Sequence, residues 1–161
     1  MFISVLMITL FAIQTPAQSK NMQPTFSITI STSQQVVKSG SELMLDILFT
    51  NTSNSDIRLF KTNGKAQGEF LNDIEVHDQQ GISAPETKYL RILRREDENG
   101  GVVYSTQSAR LHPGESMKEQ VVVNKLYDIS GPKSYVIQVR RKDPQTNGIV
   151  ESNSINVTIT P

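Results

Sequence analysis

The chain has 161 residues, no cysteine and no tryptophan, and it balances 16 Lys and Arg against 16 Asp and Glu. A length of this order predicts a single domain. The absence of cysteine excludes a disulfide framework, a thiolate nucleophile and a cysteine zinc site. A chain with a net charge of zero lacks the positive field on which nucleic-acid binding depends, so we expect no nucleic-acid partner.

The first 17 residues have the pattern of a signal peptide. Residues 2–13 form an uncharged apolar run, which is shorter than the roughly 20 apolar residues of a membrane span. Thr15, Pro16 and Ala17 then supply small residues for cleavage after Ala17. We therefore expect a signal peptide over 1–17, a short linker over 18–25 and one domain over 26–161. The cleaved protein is expected to be secreted or periplasmic and not attached to a membrane.

Alternation of apolar and polar residues predicts strands along most of the remaining chain. Residues 42–51 show it most clearly, because Leu43, Leu45, Ile47 and Phe49 share one face. The other predicted strands are 26–30, 56–61, 70–78, 102–111, 117–123, 134–141 and 149–160. Seven to nine short strands with frequent turn residues indicate an all-β antiparallel sandwich.

Residues 82–101 interrupt the strand pattern. Within them, residues 86–95 could form about two helical turns, because Tyr89, Ile92 and Leu93 fall on one helical face. We interpret the segment as an insertion between strands with room for a short helix.

The C-terminal half carries several motifs of a known group of domains. They are Leu-His-Pro-Gly-Glu-Ser at 111–116, Leu-Tyr-Asp-Ile-Ser at 126–130, Tyr135, and the alternating strand that starts near residue 152. Over residues 26–161 the chain resembles immunoglobulin-like or fibronectin-III-like domains of exported bacterial proteins. The resemblance implies an immunoglobulin-like sandwich in a bacterial envelope, a turn at Pro113 and Gly114, and a tyrosine corner made by Tyr135.

The charged part of the insertion holds the candidate binding residues. Lys88, Tyr89, Arg91, Arg94 and Arg95 could contact an acidic partner or a polysaccharide.

The acidic residues that follow, Glu96, Asp97 and Glu98, offer the oxygen ligands that Ca²⁺ prefers. Their spacing is not that of a dedicated calcium loop, and the preceding arginines could neutralise them. We therefore expect a self-paired charge run and no metal.

No other segment indicates chemistry. His77 and His112 are the only histidines, and both are expected at the surface. No serine lies in a Gly-x-Ser-x-Gly elbow, and Arg140, Arg141 and Lys142 are read as charges that protect a strand edge. We expect no enzyme activity and no cofactor.

Three functions remain open at this stage. The first is a monomeric, exported, non-catalytic immunoglobulin-like module of uncharacterised role that binds a protein or glycan through loops or a sheet face. The alternative is a proteinase inhibitor of sandwich fold, because residues 48–53, 74–81 and 111–115 also resemble bacterial inhibitor domains; residues 62–68 would then enter the protease cleft. The third is an enzyme or metalloprotein with an unrecognised site.

Overall fold

The computed structural model describes residues 23–63, 69, 71–94 and 105–161. This part of the chain holds ten strands and two short helices. The strands are β1 (Phe26–Ser31), β2 (Val36–Lys38), β3 (Met44–Asn51), β4 (Ile57–Asn63), β5 (Asp73–Asp78), β6 (Ser105–Leu111), β7 (Ser116–Val122), β8 (Ser134–Lys142), β9 (Ile149–Glu151) and β10 (Ile155–Thr160). The helices are α1 (Lys88–Leu93) and α2 (Val123–Leu126). No helix in these described ranges is long and apolar enough to cross a membrane.

The strands form an immunoglobulin-like sandwich. One sheet has the order β1-β3-β7, and the other has the order β2-β10-β8-β5 with β9 also paired to β8. Strands β1 and β2 follow each other in sequence but join different sheets, and β2 pairs with β10 in parallel. Strands β4 and β6 form a separate antiparallel pair. The predicted all-β sandwich is confirmed.

The inner faces of the sheets form the core. Leu43, Leu45, Ile47 and Phe49 are each at most 1% exposed, as the alternation of residues 42–51 predicts. The Phe49 ring meets the Phe26 ring edge-on, with centroids 6.1 Å apart. Full burial of each such side chain contributes about 1.5–3 kcal/mol.

Three features differ from the predicted elements, one of which is α2, because Val123 was placed in the predicted strand 117–123. Strand β2 was not predicted, because its three residues are too few to show a period. The predicted strand at 149–160 is broken into β9 and β10. At the break, Asn153 accepts a hydrogen bond from the Ile30 amide at 2.8 Å and donates one to the Ile30 carbonyl at 3.1 Å. The side chain thus fastens the break to β1 of the opposite sheet.

An ion pair crosses the core. Glu119 of β7 and Arg141 of β8 are 6% exposed each, and their Oε1 and Nη1 atoms lie 3.6 Å apart. Asn72 donates to Glu119 Oε2 at 2.8 Å, and the Arg141 guanidinium lies 4.7 Å from the Phe49 ring centre. Burial lowers the pKa of Arg141 from its ordinary value, and the nearby Glu119 carboxylate opposes that shift.

The position of Arg141 corrects the reading of residues 140–142 as an exposed, charged edge. Strand β8 alternates strictly, so Arg141 shares the inner face with Ile137 and Val139. Its guanidinium also donates to the carbonyl of Phe60 in β4. The side chain therefore links both sheets to the β4–β6 pair.

Replacing Arg141 by Met should lower the free energy of unfolding by about 3–5 kcal/mol, because it leaves the Glu119 carboxylate buried without its cation. The double variant R141M/E119L should regain much of this loss, since a buried ion pair can be exchanged for apolar groups at little cost. Urea denaturation measures the free energy of unfolding of both variants. The control is R140M, whose side chain is 36% exposed and which should cost at most about 1 kcal/mol. Equal losses in R141M and R140M would contradict the assigned role.

A second buried carboxylate holds the start of β1. Asp143 is 0% exposed. Its Oδ2 accepts hydrogen bonds from the Thr25 amide at 2.8 Å and hydroxyl at 3.0 Å, and its Oδ1 accepts one from the Gln145 amide at 2.9 Å. Burial raises the pKa of Asp143, but the hydrogen bonds from Thr25 and Gln145 outweigh it and hold the pKa below its ordinary value.

The depressed pKa of Asp143 predicts a pH-dependent contribution to stability. A carboxyl whose pKa is lower in the folded state stabilises the protein above its unfolded pKa of about 3.9 and loses that effect as the pH falls through the folded value. The difference in unfolding free energy between wild type and D143N should therefore be largest near about pH 6 and shrink toward about pH 2. Urea melts across this range measure it. A constant difference would refute the assignment.

Candidate functional site

A cleft of about 560 Å³ opens between the start of β5 and the helices α1 and α2. Its apolar floor consists of Leu71, Ile74, Leu90, Leu93 and Leu126. Polar groups of Glu69, Asn72, Asp73, Arg94 and Tyr127 complete the lining. The cleft lies where the predicted insertion meets the edge strand of the larger sheet.

Helix α1 forms one wall of the cleft, and Thr87 holds its N-terminus. Thr87 caps the N-terminus by accepting from the Leu90 amide at 3.3 Å, and its hydroxyl donates to the Lys125 carbonyl at 2.5 Å. The buried residues are Leu90 and Leu93. The buried face of α1 therefore differs from the predicted face of Tyr89, Ile92 and Leu93, because Leu90 is buried and Ile92 is only half-buried.

The structure separates the candidate basic residues. Lys88 and Arg91 are exposed on α1. Tyr89 points inward and donates its hydroxyl hydrogen to Glu69 Oε2 at 2.6 Å. Arg94 caps the C-terminus of α1 and lines the cleft. Arg95 lies outside the described residues.

Glu69, which lines the cleft, is hydrogen-bonded to Tyr89. Glu69 is 5% exposed. Burial, followed by the hydrogen bond to Glu69, raises the pKa of Tyr89 above its ordinary value. The phenol therefore keeps its proton and donates a hydrogen bond to the Glu69 carboxylate.

A second hollow of about 410 Å³ adjoins the cleft and shares Asp73, Arg94 and Tyr127 with it. Its rim carries a row of alternating charges. Arg94 contacts Glu86 and lies 3.4 Å from Asp73, and Arg140 lies 2.9 Å from Asp73. The rim charges are therefore largely paired with one another, and such exposed pairs contribute little to stability.

The weak calcium candidates Glu96, Asp97 and Glu98 lie outside the described residues, so the expectation that they bind no metal stays untested. Within the ranges that the structure does describe, no group of three or more His, Cys, Asp and Glu could hold a metal ion.

The two histidines lie at the surface. His77 Nδ1 is 3.2 Å from Ser83 Oγ, a contact that the turn at Gly81 creates and the sequence analysis missed. The His77 Nε2 atom is 3.8 Å from Glu75 Oε2, which is beyond hydrogen-bonding distance. His112 Nδ1 lies 2.8 Å from Asp56 Oδ1.

Ser130 and Lys133 have the Ser-x-x-Lys spacing that some serine enzymes use. The structure gives each member another partner. Ser130 Oγ donates to Asp128 Oδ1 at 2.6 Å, and Lys133 Nζ donates to the buried Asp78 at 2.5 Å. The pair therefore lacks the direct contact that an activated serine requires.

The turn at Pro113 and Gly114 is present, because Gly114 has φ +79° and the Glu115 amide donates to the His112 carbonyl at 2.9 Å. The hydrogen bond across strands that was expected from Tyr135 is not made by that residue. The hydroxyl that bonds across to another strand belongs to Tyr127, which donates to the Ile74 carbonyl at 2.5 Å. Tyr135 is buried in β8, and its hydroxyl makes no hydrogen bond within the described part of the chain. The correction from Tyr135 to Tyr127 arises because α2 ends at Leu126 and turns the next side chain toward β5.

Comparisons with known proteins are weak. No protein-family model and no curated protein matches the chain. A CARDB domain from Pyrococcus furiosus, solved with di-metal ions, is 11% identical with a TM-score of 0.42, and the match covers 85% of this chain and 89% of that one. The C-terminal domain of wzt is 9% identical with a TM-score of 0.46, over 86% of this chain and 75% of that one.

The alkylpurine DNA glycosylase AlkC of Pseudomonas fluorescens, bound to DNA with an abasic-site analogue, is 9% identical with a TM-score of 0.45. That match covers 86% of this chain but only 31% of the glycosylase. These TM-scores are below 0.5, so the immunoglobulin-like architecture rests on the strand order of the chain itself.

Replacing Tyr127 by Phe should lower the free energy of unfolding by about 1–3 kcal/mol, because the buried Ile74 carbonyl loses its donor. Replacing Tyr135 by Phe is the matched control and should change stability by less than about 0.5 kcal/mol. Urea denaturation of the two variants measures the difference. A larger loss for Y135F than for Y127F would restore the corner to Tyr135.

Proposed function

We propose that this chain is an exported, non-catalytic immunoglobulin-like module that binds a protein partner in the cleft beside α1. The observation that carries the proposal is the cleft itself, in which leucine side chains of two helices form a floor inside a charged rim. Protein interfaces combine an apolar centre with a polar rim in the same way. Export is supported by the signal-peptide pattern of residues 1–17.

The cleft supports a protein partner better than a glycan. All five floor residues are aliphatic, and an aliphatic surface gains free energy by burying apolar side chains of a partner. The inhibitor alternative depends on residues 62–68, most of which lie outside the described residues. No described feature favours it.

Replacing Asp73 by Trp should abolish partner binding, because Asp73 lines both hollows with a side chain that is 47% exposed. The control is K88W, which places the same indole on the exposed face of α1. The full chain, tagged at its C-terminus, is cross-linked in the cells that produce it. We expect one protein to be cross-linked to wild type and K88W and at least about tenfold less of it to D73W.

Two results would contradict the proposal. One is equal cross-linking by D73W and K88W, which would move the binding surface away from the cleft. The other is binding to a glycan array that D73W abolishes, which would make a glycan the ligand. Thermal melting of both variants excludes unfolding as the cause.

A further inference from the structure

The cleft beside α1 holds a buried carboxylate that its neighbours satisfy on one side only. Glu69 is 5% exposed and lines the cleft. Its Oε2 atom accepts the hydrogen bond from Tyr89. Its Oε1 atom has no hydrogen-bond or ion-pair partner among the described residues. Because Glu69 lines the cleft, a ligand bound there can supply the missing donor to Oε1, and a hydrogen bond to a carboxylate is stronger than one between neutral groups.

The cations near the cleft do not meet this need. Among the described residues of its lining, Arg94 is the cation, and it is engaged by Asp73 and Glu86 on the rim. Tyr89 keeps its proton, so it offers Glu69 a hydrogen bond without a positive charge. Lys88 and Arg91 are exposed, and no salt bridge joins either to Glu69 within the described ranges. The cleft therefore presents a negative charge that a cationic group would complement.

The floor in front of Glu69 is apolar. Leu90 and Leu93 of α1 and Leu126 of α2 line the cleft together with Glu69. A ligand that suits both parts has an aliphatic stem and a cationic end. Among protein side chains, lysine has this form, since its methylenes bury readily while its ammonium donates three hydrogen bonds.

We infer that the cleft receives a lysine side chain of the partner protein, with its methylenes against Leu90, Leu93 and Leu126 and its ammonium donating to Glu69 Oε1. This inference rests on the proposed function and names the chemistry that the site recognises. It reverses the expectation from the sequence, in which the basic residues of the insertion would contact an acidic partner. A cationic ligand is favoured because the basic side chains point outward or are paired, whereas Glu69 faces the cleft.

The test uses the full chain and two capped pentapeptides, acetyl-Ala-Ala-Lys-Ala-Ala-amide and the same peptide with norleucine in place of lysine. Norleucine keeps an aliphatic side chain and lacks the ammonium. Titrations followed by the NMR shifts of the Leu90 and Leu93 methyl groups give the two dissociation constants. We expect the lysine peptide to bind at least about tenfold more tightly. Equal affinities, or no shift with the lysine peptide, would overturn the inference.

The variant Glu69→Gln isolates the charge, because glutamine has nearly the same shape and can still accept from Tyr89. E69Q should weaken binding of the lysine peptide by at least about tenfold and leave the affinity for the norleucine peptide unchanged. The control is E42Q, which removes a carboxylate that is exposed outside the cleft and should change neither. Unchanged lysine binding in E69Q would refute the role of Glu69. If E69Q lost binding of both peptides, the role of Glu69 would also be refuted, because the substitution would then have disturbed the apolar floor as well as the charge.

The two proposals fail separately. If the lysine peptide does not bind but D73W still loses its cross-linked partner, the cleft is a binding site for another chemistry. If the peptide binds through Glu69 and D73W keeps its partner, the lysine site is real but is not where that partner binds.

Discussion

The contact between the inner faces of the two sheets is the constraint on which the rest of the structure depends. The chain has no cysteine, so no disulfide can join the sheets, and every residue on an inner face must contribute by packing or by a bond to the other sheet. Leu45, Ile47, Ile137 and Val139 pack at 0% exposure.

Polar groups enter that interface at defined points. Arg141 and Glu119 lie on inner faces where the alternation would place aliphatic residues, and Asp143 is buried at the end of β8. Two of them bond to distant parts of the chain: Arg141 donates to a carbonyl of β4, and Asp143 accepts from Thr25. A buried polar group is tolerated only when its partners are in place, so these bonds favour one arrangement of the peripheral strands over its competitors.

The cleft follows from the way the insertion closes on the sandwich. Residues 82–84 pair with β5 after the Gly81 turn, α1 is capped at Thr87, and Tyr127 bonds to Ile74. These contacts place two short helices at the edge of the larger sheet without filling the space between them and β5. The apolar floor and the Glu69 carboxylate both line this space, which is why binding and ligand chemistry are both proposed at this position.

The sequence by itself determined the fold class and most of the strands, because a period of two in apolar residues directly reports which face of a strand is buried. It also determined the Pro113-Gly114 turn, since a proline followed by a glycine suits few other conformations. Only the tertiary structure decided that Arg141 is inside, that Tyr127 and not Tyr135 bonds across strands, and that Glu69 meets Tyr89. These outcomes depend on partners that are distant in sequence: 20 residues separate Glu69 from Tyr89 and 53 separate Tyr127 from Ile74. Local periodicity carries no information about such pairs, because the packing of helices and sheet brings them together.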